Sequence, residues 1–128
     1  MSNSYLRENL QENYRNPQNL GRPASYDREQ FLANRTCGDE ITAYVSSINN
    51  KVTQISYEVT GCALCIASAS ILSQELESKS LSEIASWNEK SVQELLGTEL
   101  TINRVKCVLL PLRAIQQALN VIPQNPHF

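Results

Sequence analysis

The sequence lacks the features that mark several large classes of protein. Its longest apolar run, Cys107–Leu112, covers about six residues, whereas a membrane-spanning helix needs ~20. Eleven basic residues nearly balance thirteen acidic ones, so neither nucleic acid nor an anionic membrane is an expected partner. The single histidine, His127, lies in the C-terminal tail and is expected to be solvated. Membrane insertion and charge-driven binding are therefore not predicted.

Length and cysteine content indicate the broad class. A chain of 128 residues predicts one domain over residues 1–128, with a flexible tail at 122–128. Such a chain buries roughly two thirds of its extended surface on folding, so it needs no disulfide staples. The polar N-terminus has no apolar signal-peptide region, which predicts a cytoplasmic protein. In that reducing compartment, the four cysteines are expected to be ligands or reactive thiols.

Alternating apolar residues predict a β-hairpin over residues 40–59. The residues predicted to face inward are Ile41, Ala43 and Val45 on the first strand and Ile55, Tyr57 and Val59 on the second. Asn49 and Asn50 can adopt the positive φ angles of a tight turn between the two strands. The hairpin ends directly at Gly61 and Cys62.

Two segments precede the hairpin. A short amphipathic helix is predicted at about 4–14, with Leu10 and Tyr14 on its apolar stripe and Asn13 outside it. Turn-forming residues follow, and residues 24–36 have little pattern, so we interpret them as a surface loop.

Helical patterns follow the hairpin. A capping box at Ser80–Glu83 predicts one short helix, and a second is expected from Asn88 or Ser91 to Leu96. The last helix contains Pro111, which is tolerated best in a first turn. That placement predicts a helix start near Cys107.

Three cysteines and one carboxylate form the candidate site. Gly61 supplies a permissive backbone between strand and helix, and Cys62 is predicted to lie at the helix N-terminus. Because adjacent ends of an antiparallel pair meet, the hairpin is expected to bring Cys37, Asp39 and Cys62 together. With Cys107, this set suits zinc or a thiolate-held iron–sulfur centre.

The predicted position of Cys107 indicates a reactive thiolate. A helix N-terminus and the nearby cations of Lys106 and Arg104 would all favour negative charge on its sulfur. Cys107 is therefore expected to react faster than Cys65. Cys65 is expected to pack inward instead.

Other interpretations of the cysteines remain open at this point. All four could be small buried hydrophobic residues. Cys62 and Cys65 could form a thioredoxin-like redox pair, although such a pair leaves Cys37 and Asp39 without a role. The metal could also be purely structural, in which case the domain would serve as an interaction module and would need the metal to fold.

The sequence resembles the iron–sulfur cluster assembly scaffold family, which comprises the IscU, NifU N-terminal and SufU-type proteins. The matching segments occur in the family's order over roughly residues 4–121, and they are Tyr14–Gly21, Cys37–Asp39, Gly61–Ala63 with Ala67–Ser70, and Arg104–Cys107. The resemblance implies an α+β fold, with a small antiparallel sheet of about three strands packed against helices. It also implies that a cysteine desulfurase passes persulfide sulfur to the scaffold, with Cys107 and Cys37 as the candidate acceptors, and that the scaffold delivers clusters to apoproteins.

The chain combines features of two branches of that family. In IscU-type members a histidine precedes the third cysteine, whereas this chain has Lys106. The segment that docks an Hsp70-type chaperone in that branch is replaced by Leu100–Lys106, so chaperone docking is not carried over. Both changes resemble the zinc-binding SufU branch, but the 44 residues 63–106 are too few for the insertion that SufU-type members carry.

The expected function is thus a scaffold that binds iron or a nascent [2Fe–2S] cluster at Cys37, Asp39, Cys62 and Cys107. The alternative is a zinc-dependent sulfur acceptor of the SufU type. Both are scaffold or sulfur-transfer roles rather than an enzyme with its own small-molecule turnover.

Overall fold

A computed structural model describes residues 4–97 and 102–121 and has an α+β architecture, as predicted. Three antiparallel strands form one sheet in the order β1-β2-β3. The strands are β1 (Arg28–Asn34), β2 (Asp39–Ile48) and β3 (Lys51–Thr60). The helices in the described ranges are α1 (Ser4–Arg15), α2 (Ala63–Leu76), α3 (Leu81–Ser86), α4 (Glu89–Leu96) and α5 (Ile102–Ala118).

The predicted hairpin is confirmed as strands β2 and β3. Its register pairs Ile41 with Val59 and Glu40 with Thr60. Asn49 and Asn50 make the turn with φ angles of 54° and 65°, a region that asparagine tolerates better than most residues. This register brings the start of β2 and the end of β3 side by side, which places Asp39 beside the segment that leads into α2.

The predicted loop at residues 24–36 is wrong, because Arg28–Asn34 is the edge strand β1. It pairs with β2 from Arg28 opposite Val45 to Asn34 opposite Asp39. An edge strand with one largely solvated face shows little hydrophobic alternation, and here Phe31 is exposed while Leu32 packs on the core. A two-stranded hairpin alone is marginal in water, and here a third strand and packing against helices both stabilise it.

The core lies between the sheet and helices α2 and α5. Strands β2 and β3 contribute alternate residues to it, and α2 contributes Cys65, which is fully buried as expected. The largest fully buried side chains are Tyr57, Ile41, Ile55, Leu72, Leu76, Ile84, Leu96, Leu110, Leu112 and Gln116. None of the described helices is long and apolar enough to cross a membrane.

Both short helices begin as predicted, and α4 also ends as predicted. Ser80 and Asn88 cap α3 and α4, and each forms a reciprocal capping box with the third helical residue. Gly97 ends α4 at a φ of 71°. Buried Gln116 on α5 donates to the carbonyl oxygens of Ile84 and Trp87 at 2.9 and 3.0 Å, which fixes the C-terminal end of α3 against α5.

The predicted start of the last helix is wrong. Helix α5 runs from Ile102, so Cys107 lies in its second turn and Pro111 lies in its interior. Proline has no N–H and cannot donate the i→i−4 hydrogen bond to the carbonyl of Cys107. Packing of α5 against α2, β1 and β2 offsets the free-energy cost of the missing hydrogen bond, because the residues of α5 that follow Cys107 are almost all buried. Residues 122–128, with His127, lie outside the described part of the chain.

A polar network, rather than an apolar stripe alone, attaches α1 to α2. Asn13 is buried, whereas Tyr14 is 48% exposed, so the predicted stripe is wrong at both positions. The Asn13 carboxamide oxygen accepts from Ser70 Oγ at 2.5 Å and from Gln74 Nε2 at 3.0 Å. Ser70 Oγ in turn accepts the backbone N–H of Gln18 at 2.8 Å. The network therefore also positions the loop after α1.

We predict that Asn13→Ala destabilises the protein by about 1–3 kcal/mol, because it leaves the buried Ser70 hydroxyl without its acceptor. Gln11→Ala, at an exposed position of the same helix, should change the free energy of unfolding by less than about 0.5 kcal/mol. Urea denaturation followed by far-ultraviolet circular dichroism measures both values. Equal effects of the two substitutions would contradict the role assigned to the network.

Candidate metal centre

Asp39 is the first residue of β2 and is completely buried. Its Oδ1 accepts the backbone N–H of Cys62 at 2.9 Å. Its Oδ2 is also buried and has no hydrogen-bond donor among the residues that the structure describes. A buried carboxylate that is only half satisfied is costly unless a cation is present.

Gly61 allows this carboxylate to approach the backbone. A Cβ placed on Gly61 would lie 2.3 Å from Asp39 Oδ1 and 2.9 Å from its Cγ. Gly61 is not among the glycines with positive φ, so the predicted reason for a glycine here, backbone freedom, is wrong. The requirement is for space beside Asp39.

Cys37 lies in the tight turn between β1 and β2, and its side chain is exposed. The backbone N–H groups of Cys37 and Gly38 both donate to the carbonyl of Asn34, at 3.2 and 2.8 Å. Gly38 has a φ of 75°, a conformation that favours glycine. This turn holds the Cys37 sulfur over the end of the sheet, next to Asp39.

Cys107 reaches the site from α5 and is almost fully buried. Ser68 on α2, whose side chain is also buried, donates to the carbonyl of Val108 at 2.7 Å. That bond joins α2 to α5 one residue after Cys107. The patterns of the sequence do not identify Ser68 as a positioning residue, although a serine between Ala67 and Ala69 of a helix is a signal for a buried hydrogen bond.

The structure brings three of the four predicted ligands together. The sulfur atoms of Cys37 and Cys107 and a carboxylate oxygen of Asp39 all lie within 4.8 Å of one another. Ligand atoms around a tetrahedral zinc are roughly 3.5–3.8 Å apart, given metal–ligand distances of about 2.0–2.3 Å. Small side-chain rotations would therefore close the group around one ion, so these residues can hold a metal.

Cys62 is next to this group but not part of it. It caps the N-terminus of α2, as predicted, and its exposed side chain accepts the backbone N–H of Cys65 at 3.4 Å. Its own backbone N–H is the donor to Asp39. Cys62 as the fourth ligand remains a prediction.

Burial, and not a helix N-terminus, dominates the environment of Cys107. Burial raises the pKa of its thiol, and the neighbouring side chains of Asp39, Cys37 and Cys62 raise it further. Lys106 and Arg104 are exposed on the neighbouring positions of α5. The electrostatic basis proposed for a Cys107 thiolate is therefore wrong for the metal-free protein, although a bound metal would still favour the thiolate.

The fold and the site define a small α+β domain with a cysteine and aspartate metal centre at one end of its sheet. Residues 5–127 match the family model described as the NifU-like N terminal domain, and the chain belongs to that family. Over 108 residues it is 28% identical to the iron-sulfur cluster assembly scaffold protein IscU 1 of Archaeoglobus fulgidus, which covers 84% of this chain and 70% of that protein.

Two further similarities extend the comparison. The chain is 23% identical over 130 residues to the zinc-dependent sulfurtransferase SufU of Bacillus subtilis, covering 88% of each protein. A crystal structure of a nitrogen-fixing NifU-like protein (N-terminal) from Brucella abortus superimposes with a TM-score of 0.74 at 18% identity, covering 89% of this chain and 91% of that one. At that identity, the structural likeness establishes the fold alone.

We predict that Gly61→Ala weakens metal binding at least about tenfold, because the new methyl group must displace the Asp39 carboxylate. Gly97→Ala is the control, since it introduces backbone strain at the end of α4 without touching the site. Competition with a zinc chelator measures the affinity of both variants. Unchanged zinc affinity in Gly61→Ala would show that Asp39 is not a ligand.

We predict that iodoacetamide labels the exposed Cys37 and Cys62 at least about tenfold faster than the buried Cys65 and Cys107 in folded, metal-free protein at neutral pH. Peptide mass spectrometry at timed intervals gives the four rates. In urea all four cysteines should react at similar rates. If Cys107 instead labels as fast as Cys37 in the folded protein, burial does not control its reactivity.

Proposed function

We propose that this protein is an iron–sulfur cluster assembly scaffold that binds iron or a nascent [2Fe–2S] cluster at Cys37, Asp39 and Cys107, with Cys62 as the fourth ligand. The observation that carries this proposal is the Asp39 carboxylate, which is buried beside two thiols and has an oxygen with no donor in the described part of the chain. A bound cation gives that oxygen a partner and balances its charge.

The chemistry of the donors supports the same function. Thiolates are soft ligands that favour zinc and iron–sulfur centres over magnesium or calcium, while the carboxylate is a hard ligand. Cys37 and Cys62 are exposed and Cys107 is buried, so one side of the site is open to an incoming reactant. An open side suits transfer of metal or cluster, whereas a structural zinc is normally enclosed by its ligands.

The core supports a transferable rather than a structural metal. Its largest side chains, such as Ile84, Leu96 and Leu112, belong to α3, α4 and the middle of α5. These residues belong to elements other than the turn and strand that carry Cys37 and Asp39. The domain is therefore expected to keep its fold when the metal is removed, which would exclude a purely structural zinc module.

A cysteine desulfurase is the proposed sulfur donor, and apoproteins that need clusters are the proposed recipients. Cys37 and Cys107 are the candidate persulfide acceptors, and the exposed turn position of Cys37 favours it as the first of the two. Exposed cations at Arg35, Arg104 and Lys106 lie on the segments that carry these cysteines. A cytoplasmic location is proposed because thiol ligands persist in a reducing compartment.

A second candidate function is zinc-dependent sulfur acceptance. The observation that favours it is the similarity to the Bacillus subtilis zinc-dependent sulfurtransferase SufU along 88% of each chain. In that role, zinc would stay in the site and a cysteine ligand would accept the sulfur. X-ray absorption at the zinc edge of the isolated protein distinguishes a sulfur-rich site from a shell of oxygens only, which would contradict zinc ligation by these thiols.

We predict that anaerobic reconstitution with ferrous iron and inorganic sulfide gives the visible absorption of a cluster, and that Cys37→Ser lowers its yield at least about tenfold because a thiolate ligand is lost. Cys65→Ser is the matched control, since Cys65 lies in the core and outside the ligand set. A parallel reaction with desulfurase and cysteine, read by peptide mass, identifies the persulfide-bearing residue. Zinc retention without any cluster would favour the sulfur-acceptor function.

A further inference from the structure

Cys65 is the one cysteine to which the proposed site assigns no role. It is the third residue of α2, fully buried, and its backbone N–H donates to the sulfur of Cys62 at 3.4 Å. The Cys62 sulfur is thereby held against the backbone of Cys65. Cys62 itself is exposed, so one member of the pair faces solvent and the other faces the core.

Cys62 and Cys65 are the N-cap and the third residue of α2, and the short helices α3 and α4 have side chains at the same two positions. The side chains of the capping residue and the third helical residue touch in both. Ser80 Oγ lies 3.1 Å from Glu83 Oε1 in α3, and Ser91 Oγ lies 3.2 Å from Asn88 Oδ1 in α4. Cys62 and Cys65 occupy the corresponding positions of α2. Because side chains at these two positions touch in α3 and α4, we expect the Cys62 and Cys65 sulfurs to reach disulfide distance after rotation of a side chain.

In the metal-free protein, Cys62 lies outside the group of three ligands and is available for such a reaction. The three ligand atoms that lie within 4.8 Å of one another come from Cys37, Asp39 and Cys107. Cys62 is adjacent to them through its backbone N–H bond to Asp39. A sulfur carried on Cys62 would therefore be released beside the metal.

We propose that Cys62 and Cys65 form a dithiol pair that reduces a persulfide on Cys62 to sulfide. This activity rests on the proposed function, which brings persulfide sulfur to Cys37 or Cys107, and it adds exchange of the outer sulfur onto the exposed Cys62 thiol, which returns the first acceptor to its thiol form. Cluster formation needs sulfur as sulfide, whereas a persulfide carries it at a higher oxidation state. The pair supplies the two electrons that this reduction requires.

The reaction balances without another reactant. The Cys65 sulfur attacks the inner sulfur of the Cys62 persulfide, forming the Cys62–Cys65 disulfide and breaking the bond to the outer sulfur. The outer sulfur leaves as hydrosulfide and takes both electrons of the broken bond. The proton of the Cys65 thiol passes to the solvent or to the hydrosulfide. A dithiol reductant then restores both thiols for another cycle.

The test uses the full-length, metal-free protein under anaerobic conditions. Glutathione persulfide transfers its outer sulfur to exposed thiols, and unreacted donor is removed by desalting. We expect release of about one sulfide per chain and a Cys62–Cys65 disulfide. Trypsin isolates both cysteines in the peptide 52–79, which contains no other cysteine. That peptide should resist alkylation and be two hydrogens lighter than its dithiol form.

Cys65→Ser should retain the persulfide on Cys62 and release sulfide at least about tenfold more slowly. Equal release from this variant, or a disulfide that joins Cys62 to Cys37 or Cys107, overturns the proposal. If the serine variant does not fold, the parent protein is equilibrated with mixtures of reduced and oxidised dithiothreitol. Failure to detect the internal disulfide of peptide 52–79 at any ratio then overturns it.

The Cys65→Ser variant also distinguishes failure of this proposal from failure of the scaffold function. Cys65→Ser should bind zinc with the affinity of the parent, because Cys65 is not in the ligand group. Loss of sulfide release with normal metal binding supports the dithiol role. Normal metal binding with unchanged sulfide release overturns the dithiol role and leaves the scaffold function intact.

Discussion

The hydrogen bond from the Cys62 backbone to the Asp39 carboxylate is the constraint on which the site depends. It joins the first residue of β2 to the residue that caps α2, and it holds a negative charge inside the protein. Three features together allow this bond to form. The hairpin register places Asp39 beside the end of β3, Gly61 has no side chain to obstruct the carboxylate, and α2 begins directly after Cys62. The Asp39 carboxylate therefore both fixes the backbone between β3 and α2 and supplies a candidate metal ligand.

The fold divides the sulfur atoms by exposure, and this division suits the proposed chemistry. The turn before β2 and the cap of α2 present Cys37 and Cys62 to solvent, while α2 and α5 keep Cys65 and Cys107 covered. Exposed sulfurs can meet a donor protein, whereas covered ones are protected from adventitious oxidants. One small domain can thus both receive sulfur and retain it.

Features set by local sequence were predictable, and those set by tertiary packing were not. The hairpin with its Asn49-Asn50 turn and the caps of α3 and α4 each depend on a few neighbouring residues. Strand β1 was missed because its partner strand, not its own pattern, makes it a strand. Helix α5 was misplaced because burial outweighs the cost of Pro111. The four candidate ligands were identifiable from chemistry, but the burial of Cys107 was not.

The closeness of Gly61 to Asp39 also has a genetic consequence. The space that a side chain at position 61 would occupy is already filled by the carboxylate at position 39. A smaller residue at position 39 would empty that space, so substitutions at the two positions cannot have independent effects on stability. Residues 39 and 61 therefore form an epistatic pair, in which the residue tolerated at one position is decided by the size of the side chain at the other.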